Sequence, residues 1–580
     1  MIEFCEIIAE KFAYVGKKQY ICRLNCVCEL KIHQKIVMKK VFKYLFIVCV
    51  VVAATSCQQR ELNTRVSNAT GWNYFDLKTT NFEAQEGVGN VNPVGMVPIQ
   101  GGSFTVGEKD EFLTAPRNNE TRTVTVSSFY MDKYEVTNLN WNEYLHWLDF
   151  VFGRVAPELV DQARPDHKVW REDLAYNDPY EDNYFEHPAF SFYPIVGVTW
   201  EQAMTYCQWR TDRVNELALV NSGAMALADY GILNREWDME EEAEEIDEWQ
   251  KQNGYELVAE EVPDEDARED DPTAMKTVYR VPYEWIRDKF VFNTEKYLQD
   301  ANYVPDFGRN PKRDSYGEER KVTIADGIFV TGYRLPTEAE WEFAAYAPVA
   351  GEDGLTIEGK IYPWSGYHPR DMSKKNLGQL QANFVRGRGD MMGVSGALND
   401  HRVITNPVDE YAPNDFGLYN MAGNVNEWVM DVFRETTFQE VSEYNSYRGN
   451  IYSHPVLDED GNSQLDSLGC IKISWGKEDD KRDVRDGDIA SKFDTDFPLP
   501  VDTAGMENLT NYKDEPTNIL APRITKETRV YKGGSWADRI YWLNPSTRRY
   551  LEQNKCSSKI GFRCAMSTLG DQIPGTPVRK

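Results

Sequence analysis

The chain has 580 residues, of which 41% are hydrophobic and 13% aromatic, enough for one large domain with a packed core and long insertions. Its net charge of −29 argues against proteins that bind nucleic acid through a basic surface. The seven histidines are scattered along the chain, which argues against a metal site built from histidine.

A bacterial lipoprotein signal is predicted near the N-terminus. Met38, Lys39 and Lys40 form a basic start, and the apolar stretch 44–54 that follows is too short to span a bilayer. Residues 53–57 resemble a lipobox and predict lipidation of Cys57. An ordinary cleaved signal peptide and a buried hydrophobic strand are the alternatives.

The signal divides the N-terminal part of the chain into three segments. Residues 1–37 precede a complete signal and are interpreted as a start-site overcall, residues 38–56 as the signal peptide, and residues 57–95 as a tether and leading segment. No acidic run follows Cys57, so we expect the lipid to anchor the protein to the periplasmic face of the outer membrane.

The first elements after the tether are predicted to be strands. Apolar residues flank Gly101 and Gly102 within 96–107, a pattern that predicts a hairpin. Residues 123–127 alternate threonine and valine, which indicates a strand with one buried face.

Two helices and a further strand follow in the sequence. Thr137 is a candidate N-cap for a helix with one apolar side, formed by Trp141, Tyr144, Leu145 and Leu148. Residues 194–198 read as a short buried strand. Thr199 and Gln202 form a capping box that begins a second helix, which we expect to extend to about Asn215.

Four motifs, in order along the chain, carry a family resemblance. They are Arg-Leu-Pro-Thr-Glu-Ala-Glu-Trp at 334–341, Gly-Leu-Tyr-Asn-Met-Ala-Gly-Asn-Val-Asn-Glu-Trp at 417–428, Gly-Gly-Ser-Trp at 533–536 and Gly-Phe-Arg-Cys at 561–564. Together they resemble the formylglycine-generating enzyme, or sulfatase-modifying factor, family. The resemblance implies an α+β domain over residues 96–567, related to C-type lectins, with little regular secondary structure and long insertions.

Two insertions separate the segments that resemble the family. They cover about 217–332 and 434–528, and a short tail follows at 568–580. Acidic runs at 240–248 and 264–271 predict solvated chain, either as a surface loop without a partner or as an interaction surface. Aromatic residues in 279–292 predict that the second half of the first insertion packs in an ordered way.

The resemblance implies that catalysis has been lost. Active members carry two reactive cysteines between the Gly-Gly-Ser and Gly-Phe-Arg motifs, and those positions fall on Leu543 and Arg548 here. A thiolate is the nucleophile and the copper(I) ligand that this oxygen-dependent chemistry needs, and neither residue supplies one. We therefore expect no enzyme activity and no copper. Thr337 and Glu340 form a capping box that begins a further helix. Glu338 and Glu342, one turn apart on that helix, are expected to have a solvated or capping role.

The resemblance also implies two calcium sites with a structural role. The first would use Asn420, the carbonyls of Gly423 and Val425, and Glu427. The second would use a different set of four residues: Asn383, the Phe384 carbonyl, Asp400 and the Arg402 carbonyl. The alternative for the first motif is a plain turn whose asparagine side chains bond the backbone.

The cysteines after Cys57 predict disulfides if the compartment is oxidising. The family pattern implies a bond between Cys207 and Cys564, which leaves Cys470 and Cys556 as a remaining pair. Four buried free thiols are the alternative.

A narrower resemblance suggests the biological role. The lipobox, Val-Ser-Asn-Ala-Thr-Gly-Trp at 66–72, Tyr-Glu-Val-Thr-Asn at 134–138 and residues 209–216 together resemble the gliding-motility lipoproteins of the GldJ and GldK (PorK) type. This implies a non-catalytic outer-membrane lipoprotein that supports gliding motility and type IX secretion in Bacteroidota. Its implied partners are a GldK/PorK-like lipoprotein and ring components.

Two alternative functions stay open. The first is a formylglycine-generating oxidase that acts on sulfatases, against which Leu543 and Arg548 argue. The second is a lectin-like module that binds sugars or peptides. For such a module Trp536, Tyr541 and Trp542 would be the ligand-stacking residues, although aromatic residues also pack in cores.

Overall fold

A computed structural model of the chain describes residues 75–76, 82–83, 93–107, 119, 121–172, 175–238, 242–263, 275–300, 303, 305–313, 317–348, 360–385, 403–433, 453–458, 463–475 and 527–569. The chain divides into two units, 1–85 and 86–580. In the first unit, the strands Phe75–Asp76 and Phe82–Glu83 pair antiparallel. The predicted signal peptide and Cys57 lie outside the described residues. Within those residues, no helix is long and apolar enough to cross a bilayer.

Two four-stranded sheets form the framework of the second unit. The first has the order Tyr333–Arg334, Ala565–Ser567, Phe129–Asp132, Met96–Ile99 and is antiparallel throughout. The second has the order Arg549–Glu552, Thr528–Lys532, Asn426–Val432, Ile560–Gly561, and its last pair is parallel. C-terminal strands enter both sheets, so the chain end that carries the Gly-Phe-Arg-Cys motif ties the two sheets together.

Further strands pair two by two. They are Gly102–Val106 with Arg122–Val126, Val258–Pro263 with Met275–Arg280, Lys312–Arg313 with Glu319–Arg320, and Ser453–Pro455 with Ile473–Trp475. The predicted strand at 123–127 is confirmed as Arg122–Val126, with Val124 and Val126 buried.

The predicted hairpin at 96–107 is wrong. Met96–Ile99 pairs with Phe129–Asp132, whereas Gly102–Val106 pairs with Arg122–Val126. Gly101 lies so close to the second pair that a Cβ there would meet the Val126 carbonyl oxygen at 2.2 Å. The Gly-Gly step therefore lets the chain cross from one sheet to the next strand pair, rather than reverse on itself.

The predicted helix starts are confirmed. The three longest scaffold helices are Asn138–Phe152, Trp200–Ser222 and Glu338–Tyr346. The hydroxyls of Thr137, Thr199 and Thr337 cap them, and in each case the residue at the third helical position completes a capping box. The remaining helices of the described residues are Pro157–Ala163, His167–Trp170, Asp178–Asn183, Pro188–Phe190, Tyr230–Asn234, Ala243–Asn253, Tyr283–Trp285, Ile286–Phe290, Thr294–Gln299, Ile324–Asp326 and Ile540–Leu543.

Two predictions near the second helix need correction. The helix continues past Asn215 to Ser222, where Gly223 ends it in the left-handed conformation. Residues 194–198 are not a strand, although Ile195, Val196 and Val198 are buried. Gly197 breaks the extended conformation with φ +74°, and its amide donates to the Ser557 carbonyl instead of to a neighbouring strand.

The core forms where the helices Asn138–Phe152 and Trp200–Ser222 meet. The Trp141 ring stacks on Tyr206 at 5.3 Å and meets Phe562 edge-on at 6.0 Å. Trp237 and Trp285, both from the first insertion, belong to the same apolar cluster. The prediction that the second half of this insertion is ordered is therefore confirmed.

The acidic helix Ala243–Asn253 of the first insertion has one buried anchor. Ile246 is buried, whereas Glu244, Glu245 and Glu248 are exposed. This part of the acidic run is solvated, as predicted, although it is helical. Residues 239–241 and 264–274 lie outside the described residues.

The two insertions contact each other. The hydroxyl of Tyr283, in the first, donates to the Ser467 carbonyl of the second at 2.5 Å. Gly469 lies against the Arg287 carbonyl, which a Cβ would approach to 2.9 Å. The insertions therefore form one joint surface, which packs beside the helices Asn138–Phe152 and Trp200–Ser222.

Candidate functional site

The Gly-Gly turn at 533–534 lies between two large side chains. Both glycines have positive φ, +103° and +71°. A Cβ on Gly533 would lie 3.1 Å from the Trp341 ring, and one on Gly534 would lie 3.0 Å from Leu543 Cδ1. This packing requires glycine twice and brings the motif against the first of the two positions where the resemblance places a reactive cysteine.

Leu543 occupies that first position and is fully buried. It belongs to a small apolar cluster with Tyr362, Leu380, Ala382, Phe384 and Ala422. The side chain contributes only hydrocarbon, so this position packs the interior and offers no ligand to a metal.

Arg548 occupies the second position and takes part in a buried ion network. Its Nε lies 2.6 Å from Glu338 Oε1. The ammonium of Lys532 lies 3.1 Å from Glu338 and 2.8 Å from Glu342. Glu342 also accepts a hydrogen bond from the Gly107 amide at 2.9 Å. Lys532 and Arg548 therefore offset the two carboxylates within the protein interior, and the charge of Arg122 adds to their effect on Glu338.

The expectation of a solvated or capping role for Glu338 and Glu342 is wrong. Both are buried, because Lys532 and Arg548 reach them from a distant part of the sequence. Burial disfavours the ionised form of Glu338, but the charges of Arg548 and Lys532 outweigh it and lower its pKa to about 2. The Glu338 carboxylate is therefore ionised and structural.

Cys556, the next cysteine along the chain after the Arg548 position, faces a carboxylate. Its Sγ is 3.9 Å from the Asp166 carboxylate, and burial together with that charge raises the thiol pKa to about 11. A thiol with this pKa is protonated at neutral pH and is a poor nucleophile.

The asparagine-rich motif forms a buried loop. Asn420 and Asn424 have positive φ, +52° and +63°, and Gly423 between them has +80°. The side-chain amides of Asn420 and Asn424 both donate to the Glu135 carboxylate, at 2.9 and 3.0 Å. The loop therefore closes around an acidic side chain.

Glu135 is a site residue that was not singled out from the sequence. Burial, and then the nearby charge of Glu427, raise its pKa to about 8. The only signal in the sequence was a glutamate between the apolar residues Tyr134 and Val136 in a strand-to-helix connection.

Glu427 is held by two donors. Arg563 donates to both of its oxygens, at 2.7 and 2.6 Å, and the Trp341 indole donates at 2.8 Å. Arg563 from the Gly-Phe-Arg-Cys motif and Glu427 from the asparagine-rich motif thus form one buried ion pair.

The structure brings part of the two predicted calcium sets together. Asn420, Gly423 and Val425 lie in one buried loop, and Glu427 is buried at the start of the strand that follows it. The Asn383 carbonyl accepts from the Asn424 amide at 3.0 Å. Phe384 is buried beside Asn383, and Asp400 and Arg402 lie outside the described residues.

The loop contains hard oxygen donors of the kind that Ca²⁺ uses. To hold the ion, Asn420 would have to turn its amide oxygen inward, and Glu427 would have to share its carboxylate with Arg563. In the part of the chain that the structure describes, no group of three or more His, Cys, Asp or Glu side chains is arranged around a common metal position. Backbone and amide oxygens would therefore supply most of the ligands.

The cysteines that the resemblance pairs are neighbours. The Sγ atoms of Cys207 and Cys564 are 3.5 Å apart and both side chains are buried, although no bond joins them in the structure. A disulfide needs about 2.05 Å, so a small movement would close it. Cys470 and Cys556 contact different groups: the Cys470 amide donates to Asp466, whereas the Cys556 thiol faces Asp166.

The aromatic residues considered for ligand stacking pack within the protein. Trp536 stacks on Trp170 at 6.0 Å. Trp542 meets Tyr541 edge-on, and the Arg549 guanidinium lies 4.5 Å from the centre of its ring. Arg549 also donates to the Asn426 amide oxygen. Trp542 is half-buried, which leaves part of it accessible.

The sequence model of the Sulfatase-modifying factor enzyme 1-like domain matches residues 82–568. Curated relatives match over a shorter stretch. The formylglycine-generating enzyme of Mus musculus is 39% identical over 100 residues, which is 17% of this chain and 22% of the relative.

Two further relatives have different names. The inactive C-alpha-formylglycine-generating enzyme 2 of Bos taurus is 37% identical over 105 residues, covering 18% of this chain and 28% of the relative. The chaperone protein LppX of Paenibacillus barcinonensis is 34% identical over 111 residues, covering 19% of this chain and 34% of the relative. The matched stretch thus spans about a third or less of each relative.

Proposed function

This chain belongs to the sulfatase-modifying factor enzyme 1-like family, and from that premise we propose that it is a non-catalytic member with a structural role. It serves as an outer-membrane lipoprotein that supports and stabilises the gliding-motility and type IX secretion machinery. The observation that carries the loss of catalysis is the pair of buried residues, Leu543 and Arg548, at the positions of the reactive cysteines.

A nearby cysteine could not restore the reaction by itself, because the two positions of the reactive thiols now hold side chains that stabilise the fold. Leu543 fills an apolar cluster and Arg548 balances Glu338, so both positions now contribute to stability. Cys556 is held as a protonated thiol beside Asp166. The family includes a relative named as inactive, which is consistent with a member that keeps the fold without the reaction.

The proposed location follows from the N-terminal sequence. Lipid attached to Cys57 would hold the acidic domain at the periplasmic face of the outer membrane. A net charge of −29 favours protein partners over nucleic acid. We propose a GldK/PorK-like lipoprotein and ring components as those partners, because segments 66–72, 134–138 and 209–216 resemble the gliding-motility lipoproteins.

The proposed cofactor is structural calcium, without copper. The ion would be held by Asn420, the carbonyls of Gly423 and Val425, and Glu427 in the asparagine-rich loop. It would supply positive charge beside Glu135, whose burial next to Glu427 is otherwise offset in part by Arg563 and by the amides of Asn420 and Asn424. The calcium ligands would hold the asparagine-rich loop in one conformation.

The direct test is a pull-down of the tagged full chain from detergent-solubilised outer membranes, followed by mass spectrometry. Co-purification of a GldK/PorK-like lipoprotein and ring proteins is expected. A Cys57→Ser variant should leave the outer-membrane fraction and recover less of both. Recovery of sulfatases or glycan-processing proteins alone would overturn the proposal.

The oxidase alternative is tested separately. The purified chain, loaded with copper(I) and supplied with oxygen, would be incubated with a sulfatase peptide that contains the substrate cysteine. We expect the peptide mass to stay unchanged. Copper-dependent formation of formylglycine would show that the chain is an enzyme despite Leu543 and Arg548.

The lectin-like alternative depends on the accessible part of Trp542. A glycan array and a peptide array would be probed with the full chain and with Trp542→Ala. Loss of a specific signal in a folded Trp542→Ala variant would support that reading, and no Trp542-dependent signal is expected.

A further inference from the structure

The first insertion contains a two-stranded ladder with one open edge. Its outer strand, Val258–Pro263, pairs antiparallel with the inner strand, Met275–Arg280, and with no other strand among the described residues. Every residue from Val258 to Glu261 is exposed, and Val258 keeps 54% of its surface accessible. Successive side chains of a strand point to opposite faces, so neither face of this stretch is packed against the protein. The outer strand is therefore held mainly through the inner one.

The ladder shows which backbone groups of the outer strand point away from the inner strand. The Tyr279 amide and carbonyl of the inner strand both bond Trp237, at 2.9 Å each, on the side away from the outer strand. Tyr279 is paired with Ala259, so the two do not bond each other, and the Ala259 amide and carbonyl point outward. Such pairs alternate along an antiparallel ladder, so the same holds at Glu261. Two N–H donors and two carbonyl acceptors therefore line the open edge.

The two faces of the ladder differ in charge. Residues paired across the ladder share a face, and one face consists of Ala259, Glu261, Pro263, Met275, Thr277 and Tyr279. Glu261 is the only charged residue of these six, and it is exposed. On the other face Lys276 and the ion pair between Glu260 and Arg280 leave no unbalanced negative charge, and Val258 is exposed. A strand added at the edge would thus meet an acid on one face and an apolar residue on the other.

We propose that the outer strand binds an extended segment of a partner protein, which adds to the open edge as a third strand with alternating basic and apolar residues. Backbone bonds to Ala259 and Glu261 would hold the segment. A lysine or arginine opposite Glu261 would select it, because like charges directly opposite each other in a sheet are destabilising. A second copy of this chain, with its net charge of −29, is disfavoured for the same reason.

The first test uses three synthetic peptides. They are acetyl-Thr-Lys-Val-Lys-Val-Lys-Thr-amide, the same peptide with glutamate in place of lysine, and the scrambled acetyl-Thr-Val-Val-Lys-Lys-Lys-Thr-amide. Each would carry a fluorophore and be titrated with the purified full chain, with binding followed by anisotropy. We expect saturable binding of the alternating lysine peptide and much weaker binding of the other two. Equal binding of the scrambled peptide would reduce the effect to general charge attraction and overturn the proposal.

Hydrogen exchange tests whether the bound peptide adds as a strand. Amide exchange in the segment that contains Ala259 and Glu261 should slow in the complex, because both outward N–H groups would then be bonded. Ala259→Pro removes one of these donors without removing a bond to the inner strand, and edge strands accept proline. It should weaken peptide binding roughly 2- to 10-fold, the equivalent of one hydrogen bond. Peptide binding with unchanged exchange in this segment would contradict strand addition.

Charge selection is tested at Glu261. Glu261→Lys should weaken binding of the lysine peptide roughly 3- to 10-fold and allow the glutamate peptide to bind. Glu244→Lys is the matched control, because it makes the same charge change at an exposed position of the helix Ala243–Asn253. It should leave the binding of both peptides unchanged. An equal loss in the two variants would refute a role for Glu261.

Two further measurements identify the occupant. In sedimentation of the full chain, a dimer that Ala259→Pro abolishes would show that a second copy takes the edge, and no such dimer is expected. The inference rests on the proposed scaffold function for the identity of the partner. In outer-membrane pull-downs, Glu261→Lys should therefore recover less of at least one machinery protein than Glu244→Lys does. Equal recovery would sink the edge-strand inference while the scaffold function stands. If the unmodified chain recovers no machinery protein, the scaffold function fails, and the peptide titration still decides whether the edge takes up a basic strand.

Discussion

Arg548 and Glu338 form a buried ion pair, with 2.6 Å between the arginine Nε and the glutamate Oε1. Arg548 stands at a position where the family resemblance places a reactive cysteine, and Glu338 begins the helix Glu338–Tyr346. Each charge needs the other, because removing one partner of a buried pair leaves an uncompensated charge in the interior. The pair therefore makes this position part of the framework of the fold.

Replacing Arg548 with methionine should destabilise the protein strongly. The variant keeps much of the side-chain volume but removes the cation that acts most strongly on Glu338, so we expect the free energy of unfolding to fall by about 3–5 kcal/mol. Urea denaturation followed by tryptophan fluorescence would measure it. Lys555→Met is the matched control, because Lys555 pairs with Glu552 on the surface. If both variants lowered the free energy of unfolding by the same small amount, the structural role of Arg548 would be contradicted.

The same network predicts that the stability of the unmodified chain and that of Glu338→Gln depend differently on pH in the acidic range. Glu338 has a folded-state pKa of about 2, below its ordinary value of 4.5. Its contribution to stability is therefore fully present above pH 4.5 and is lost as the pH falls toward 2. Glu338→Gln should be less stable than the unmodified chain at pH 7, and the gap should narrow below pH 4.5. Unfolding curves at several pH values would show this, and a constant gap would refute it.

Cys207 and Cys564 are predicted to form a disulfide in protein isolated from an oxidising compartment. Their Sγ atoms already lie 3.5 Å apart. Alkylation of the denatured, unreduced protein should spare both residues and modify Cys556. Cys207→Ser should lower the free energy of unfolding by about 2–5 kcal/mol, whereas Cys556→Ser should change it little. Alkylation of Cys207 before reduction would rule out the bond.

Features that depend on neighbouring residues could be predicted from the sequence. The caps at Thr137, Thr199 and Thr337 are set by side chains within three positions, and all three begin helices where expected. The strand Arg122–Val126 follows from alternation of its own residues. In each case the information lies within the element itself.

Features that depend on distant partners could not be predicted. Glu338 and Glu342 resemble surface acids until Lys532 and Arg548 are brought against them by folding. Likewise, the partners of the strands at 96–106 are decided by packing against Phe129–Asp132 and Arg122–Val126 rather than by the Gly-Gly step. The asparagine-rich motif was recognisable, but its contact with Glu135 joins residues 285 positions apart.

Calcium should stabilise the folded protein through that asparagine-rich loop. Burial and the charge of Glu427 raise the pKa of Glu135 to about 8, and a divalent cation held by Asn420 would favour its ionised form. After treatment with EGTA, millimolar Ca²⁺ should raise the melting temperature by several degrees, because about 2.7 kcal/mol is gained at 100 times the dissociation constant. Asn420→Ala should abolish this rise, while Asn183→Ala, which changes an exposed side chain, should retain it. Identical melting temperatures with Ca²⁺ and with EGTA in the unmodified chain would show that the loop is a turn fixed by Glu135 and needs no ion.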